Sequence, residues 1–141
     1  MIVLDAGGLI AGLVPTHPAH DAVRTFLQQE PGPFVLSPVI LCEIDHLLLT
    51  RHGVAVEAEF LAEVSAGAYA LAPFGTEETR MALEVILRYR DLNIGLADAS
   101  IVVLAGRYRT NRVLTLDERH FRALRTPAGD PFVVLPADTG P

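Results

Sequence analysis

The sequence predicts an α/β domain built on a mainly parallel sheet with helices on both faces. Five short apolar runs alternate with longer segments of helical periodicity, and the runs ending at Leu4 and Leu36 lead through turn or capping residues into a helix. The 141 residues suit one domain, 1–141, with no linker, internal repeat or low-complexity tract.

The first run, Ile2 to Leu4, stops at Asp5; Ala6, Gly7 and Gly8 read as a tight turn before the helical LIAGLV, which Pro15 closes. His17 to Gln29 carries Ala19, Ala22, Val23, Phe26 and Leu27 near helical spacing. Pro31, Gly32 and Pro33 break that helix, Phe34 to Leu36 is extended, Ser37 and Pro38 are suited to cap, and Val39 to Arg51 is helical again. Gly53 ends it, Val54 to Ala66 is an amphipathic helix, and Gly67 precedes the extended Tyr69 to Leu71. After Pro73 and Gly75 a helix starts at Thr76 and runs to about Tyr89, with Glu77 and Glu78 at its start and Arg88 and Arg90 at its end, as the helix dipole favours. Gly95 to Asp117 reads as a helix, a turn and a fourth extended run. ERHFRAL is then a short helical turn, Pro127 to Pro131 a loop, and Phe132 to Leu135 the last strand.

Composition narrows the function. Mean hydropathy is +0.35, yet no run approaches the ~20 apolar residues of a bilayer span. The start MIVLDAGG lacks the basic residues of a signal peptide, so a cytoplasmic location without a membrane is expected. Cys42, the single cysteine, cannot form an intramolecular disulfide and is expected to be buried and inert. A net charge of −6 argues against a broadly basic surface. All the basic residues are arginines, and Arg107, Arg109, Arg112, Arg119, Arg122 and Arg125 gather around Asp117, which predicts a basic rim able to contact phosphates.

In parallel sheets ligands bind at the carboxyl ends of the strands, near the point where the strand order reverses. Asp5 ends the first strand, Asp117 lies just past the fourth, and Glu43 and Asp98 lie near helix starts. At about 100° per residue, Asp98 shares a face with Ile101, Val102 and Ala105, and Glu43 shares one with Ile40 and Leu47. Carboxylates among apolar residues need partners. Two of them about 4 Å apart repel by about 4 kcal/mol at an effective dielectric near 20. With no lysine in the chain, an oxygen-bound Mg2+ or Mn2+ is the fitting counter-charge. Such an ion can polarise a phosphodiester and acidify a water. Separate caps and ion pairs are the other reading of the same four acids.

The motifs IVLD ending at Asp5, SPVILCEIDHLL with Glu43, LADASIVVLA with Asp98 and TLDERHF with Asp117 together resemble the PIN-domain ribonucleases, in particular VapC-type toxins of bacterial toxin–antitoxin pairs. The resemblance covers essentially the whole chain. It implies a three-layer fold around a five-stranded parallel sheet of order 3-2-1-4-5, a magnesium site, and endonucleolytic cleavage of structured RNA of the tRNA or rRNA class. Asp5, Glu43 and Asp98 would form its acidic core, with Asp117 a fourth acid acting directly or through water. A homodimer and an inhibiting VapB-type antitoxin are also implied. One departure is Ala6, where the family often has Thr or Ser. Thr115 is suited to orient an acid or bind phosphate, and His120, Arg112 and Arg119 to support the acids from behind or to contact RNA.

Other classes fit less well. A phosphoacceptor receiver module places acids similarly but relies on a lysine, and GxGxxG, GxxxxGK[ST] and GxSxG patterns are absent. EIDH is not HExxH, so His46 is not promoted to a zinc ligand, and Asp45, about 200° around the helix from Glu43, cannot share its aim. A binding-only PIN-like module remains the alternative to an enzyme.

Overall fold

The structure, a computed structural model, describes residues 1–140. Strands β1 (Ile2–Leu4), β2 (Phe34–Leu36), β3 (Ala70–Leu71), β4 (Arg112–Leu114) and β5 (Val133–Leu135) form one parallel sheet in the order β3-β2-β1-β4-β5. Val3 stands opposite both Val35 and Val113, so β1 is central. Its three side chains have no exposed area. A strand covered on both faces reads as a continuous apolar run rather than an alternating one, and this is why IVL, FVL, RVL and VVL recur.

The helices are α1 (Ala6–Leu13), α2 (His20–Gln29), α3 (Pro38–His52), α4 (Val54–Ser65), α5 (Thr76–Arg88), α6 (Leu96–Arg107) and α7 (Glu118–Ala123). They cover both faces of the sheet, with α1 on α2, α3 on α4 and α5 on α6 as packed pairs. Every residue of α6 from Ala99 to Ala105 is buried, so it is an internal helix whose first turn emerges at the sheet edge. Among the described residues no helix is long and apolar enough to cross a membrane.

Two local expectations are corrected. Gly7 and Gly8 are not a turn: α1 starts at Ala6, because the Asp5 carboxylate accepts its first N–H. Gly8 permits close packing, since a Cβ there would stand 2.6 Å from the Leu114 carbonyl oxygen. Cys42 is exposed rather than buried. The buried ridge of α3 is Ile40, Ile44 and Leu48, and Cys42 sits about 200° round the helix from Ile40.

Candidate functional site

The chain steps outward from β1 to β2 to β3 and returns to place β4 on the other side of β1, so the strand order reverses between β1 and β4. Asp5 follows β1 and Asp117 follows β4 at that crevice. The first turn of α6 brings Asp98 and the exposed flank of α3 brings Glu43. All four acids line one open pocket together with His120.

Asp5 is the most deeply set, 8% exposed. One of its oxygens accepts from the Ala6 N–H at 2.8 Å and the other from the Thr115 hydroxyl at 2.6 Å. The same hydroxyl oxygen accepts from the Asp117 N–H at 2.9 Å. Thr115, itself buried, thus ties the aim of Asp5 to the backbone that carries Asp117. Asp117 caps α7 by accepting from the His120 N–H at 3.1 Å, so it serves a helix cap and faces the pocket at once. The two readings of this acid are compatible.

Burial and crowding disfavour charge at this place. Burial raises the Asp5 carboxyl above its ordinary range, against the lowering effect of its two hydrogen bonds. Asp98 is pushed up to about 6, by burial first and by the negative charge of Asp5 next. Glu43 is raised too, through lost hydration on its pocket side and then through Asp5. No arginine lines the pocket to relieve this. His120 Nδ1 stands 2.9 Å from Asp117 Oδ2 and 3.2 Å from Asp98 Oδ2, yet it is buried and makes no hydrogen bond, because neither approach has the required direction. Ligand-type atoms of Asp98, Asp117 and His120 lie within 4.8 Å of one another. Several carboxylates with raised pKa values, faced by no arginine and only by the His120 ring, fit a divalent cation.

The PIN domain pattern matches residues 2–126. The chain belongs to the PIN-domain family. It is 42% identical over 135 residues to Ribonuclease VapC26 of Mycobacterium tuberculosis, covering 96% of this chain and all of that protein. Among solved structures it is similar to VapC20 of Mycobacterium tuberculosis, a Sarcin-Ricin loop cleaving toxin, with a TM-score of 0.79 at 16% identity, covering 84% of this chain and 92% of that one. It is also similar to a chain of a toxin–antitoxin complex from Klebsiella pneumoniae, with a TM-score of 0.62 at 14% identity over 84% of this chain and 88% of that one. At such identities the solved structures speak for the fold, while the curated relative makes this a VapC-type PIN domain.

The basic rim expected of this PIN domain does not form around its acids. Arg112 begins β4, at the opposite end of the strand from Asp117, and its guanidinium pairs with Glu30 at 2.8 Å. Arg107 pairs with Glu78, Arg122 with Glu118 and Asp138, and Arg125 donates to the Arg122 and Leu124 carbonyls. Arg109 lies in a separate cavity with Asn111 and Asp130. Neighbourhood in sequence fails here because α6 runs away from the acidic edge and β4 runs back to it. Arg119, exposed on α7 between the pocket residues Asp117 and His120 in the chain, makes no ion pair among the described residues. His120, expected either to support the acids or to contact RNA, stands among the acids. Its position in the first turn of a helix capped by Asp117 was the signal for this.

Proposed function

We propose that the chain is a divalent-metal-dependent endoribonuclease, the toxin of a type II toxin–antitoxin pair, acting in the cytoplasm on structured RNA of the tRNA or rRNA class. Mg2+ is the proposed ion, with Mn2+ able to replace it. The observation that carries the reading is the convergence of Asp5, Glu43, Asp98 and Asp117 on one pocket without an arginine among them. Ribonuclease VapC26 supports the same class, and the VapC20 toxin and the Klebsiella chain support the fold that carries it. A VapB-type antitoxin as inhibitor and a homodimer belong to the proposal.

Asp5 and Asp98 would hold the ion, with Glu43, Asp117 and the His120 ring nitrogen as further donors. When bound, the cation supplies Lewis-acid activation of a phosphodiester and of a water. The chain's own part is positional. Thr115 keeps one Asp5 oxygen fixed by its hydroxyl proton, and the Ala6 N–H fixes the other. Asp117 is held by its cap, and Arg119 stands ready for a phosphate outside the pocket. The test is incubation of purified, antitoxin-free protein with total RNA, with Mg2+, with Mn2+ and with chelator. Metal-dependent fragments that disappear in Asp5→Asn are expected. RNA left equally intact by both proteins, with either ion, would overturn the enzymatic reading in favour of a binding-only module.

A further inference from the structure

We infer that Ser37 and Ser100 are positioning residues that set the helix carrying Glu43 against the helix carrying Asp98. The inference rests on the nuclease reading, since it concerns how two of the same acids are aimed. Ser37 directly follows β2 and caps α3, its Oγ accepting from the Val39 N–H at 3.1 Å. Its hydroxyl donates to Ser100 Oγ at 2.9 Å, and the Ser100 hydroxyl donates to the Ala97 carbonyl at 2.7 Å. Both serines are fully buried. The relay therefore runs from the first turn of α3 to the first turn of α6 and ends one residue before Asp98.

Among the described residues, this is the only side-chain hydrogen bond that joins the start of α3 to α6. The buried side chains near it, Ile40 and Ile44 on α3 and Ile101 and Leu104 on α6, are apolar. Apolar burial is non-directional and accepts small slides and rotations. A buried relay in which each hydroxyl both accepts and donates selects one arrangement. Glu43 and Asp98 are the two acids without a side-chain hydrogen bond among the described residues, and of these Asp98 has His120 at 3.2 Å whereas Glu43 has no such neighbour. Asp5 is aimed by Ala6 and Thr115, and Asp117 by its own cap. Glu43 makes no hydrogen bond among the described residues, so the placement of α3 alone directs its carboxylate into the pocket.

A purely structural role for the serines would lower stability and leave the acids' behaviour unchanged. A positioning role must act through Glu43. The experiment is a cycle of Ser100→Ala, Glu43→Gln and the double variant, with calorimetric Mn2+ titration, the thermal midpoint in chelator, and RNA cleavage as readouts. Ser100→Ala is expected to weaken Mn2+ binding about tenfold and to lower kcat with little change in KM. In the Glu43→Gln background the same substitution should change Mn2+ affinity less than about twofold, because the group it aims is already altered. Ser100→Cys leaves no cavity but offers a weaker donor on a somewhat larger atom, and takes the place of Ser100→Ala if that variant does not fold. An equal loss in both backgrounds, or a lowered thermal midpoint with unchanged Mn2+ affinity, overturns the inference. Unsubstituted protein that binds no Mn2+ removes the nuclease reading and this inference with it. Metal binding and cleavage with an additive cycle remove the inference alone.

Discussion

Asp98→Asn should make the metal-free protein more stable while removing much of its response to a divalent cation. The Asp98 carboxyl is raised from 3.8 to about 6, by burial and then by the charge of Asp5. Its folded value lies above its unfolded one, so the ionised form opposes folding. The stabilising contribution of the protonated form is complete below 3.8 and is lost as pH rises through about 6. The interval between those two values corresponds to about 3 kcal/mol above pH 7, as an upper bound. Its side chain retains 18% exposure and its titration is tied to the neighbouring acids, so about 1–2 kcal/mol is the realistic gain. For a chain of this length that is about 5 °C in thermal midpoint. The assay is thermal unfolding of both proteins in chelator at pH 4.5, 6 and 8, and again with Mn2+. The variant should unfold later at pH 8, keep only about a third of that gain at pH 4.5, and gain little from Mn2+. A variant less stable than the parent at pH 8, or one still fully stabilised by Mn2+, would refute the account of a crowded acidic pocket awaiting a cation.

Thr115→Val keeps the side-chain shape but removes both hydrogen bonds of the hydroxyl. Cleavage should fall about 10- to 100-fold, with a stability loss of about 1–3 kcal/mol seen in urea unfolding. Gly8→Ala places a Cβ 2.6 Å from the Leu114 carbonyl and should cost about 1–3 kcal/mol, while Gly7→Ala meets nothing within 4 Å and should stabilise by about 0.5–1 kcal/mol; chemical denaturation of the pair separates packing from propensity. Arg119→Ala should lower the slope of log affinity against log salt for an RNA ligand by about 0.7, the share of one phosphate contact, measured by fluorescence anisotropy of a catalytically silent Asp5→Asn background. His120→Ala should weaken Mn2+ binding more than Mg2+ binding, because an imidazole donor suits Mn2+ better; calorimetry with equal losses for the two ions would remove His120 from the donor set.

Much of this molecule was legible along the chain because its signals are local. Ser37 and Pro38 announce the start of α3, Glu77 and Glu78 mark the start of α5, and IVL before Asp5 marks a strand ending at an acid. Each depends on neighbours within about one helical turn. Asp98 could be suspected from the sequence because a carboxylate on an apolar helical face needs a partner. The strand order 3-2-1-4-5 was implied by family resemblance, and the structure has that order.

What tertiary structure alone decided are the contacts between distant positions. Thr115 reaching Asp5, His120 reaching Asp98, and Ser37 meeting Ser100 follow from which strand lies beside β1 and how α6 crosses the sheet. The arginines illustrate the same limit, since neighbours along the chain separate to opposite ends of β4, and Arg107, Arg112 and Arg122 find acids of their own. Cys42 and the Gly7–Gly8 pair depart from expectation because burial and helix entry depend on what meets a residue in space: an open flank beside Cys42, and the Asp5 carboxylate that starts α1 at Ala6. Sequence periodicity determined which elements form and which acids are anomalous. The sheet order determined that those acids share one pocket, because only packing converts separate chain positions into a common electrostatic environment.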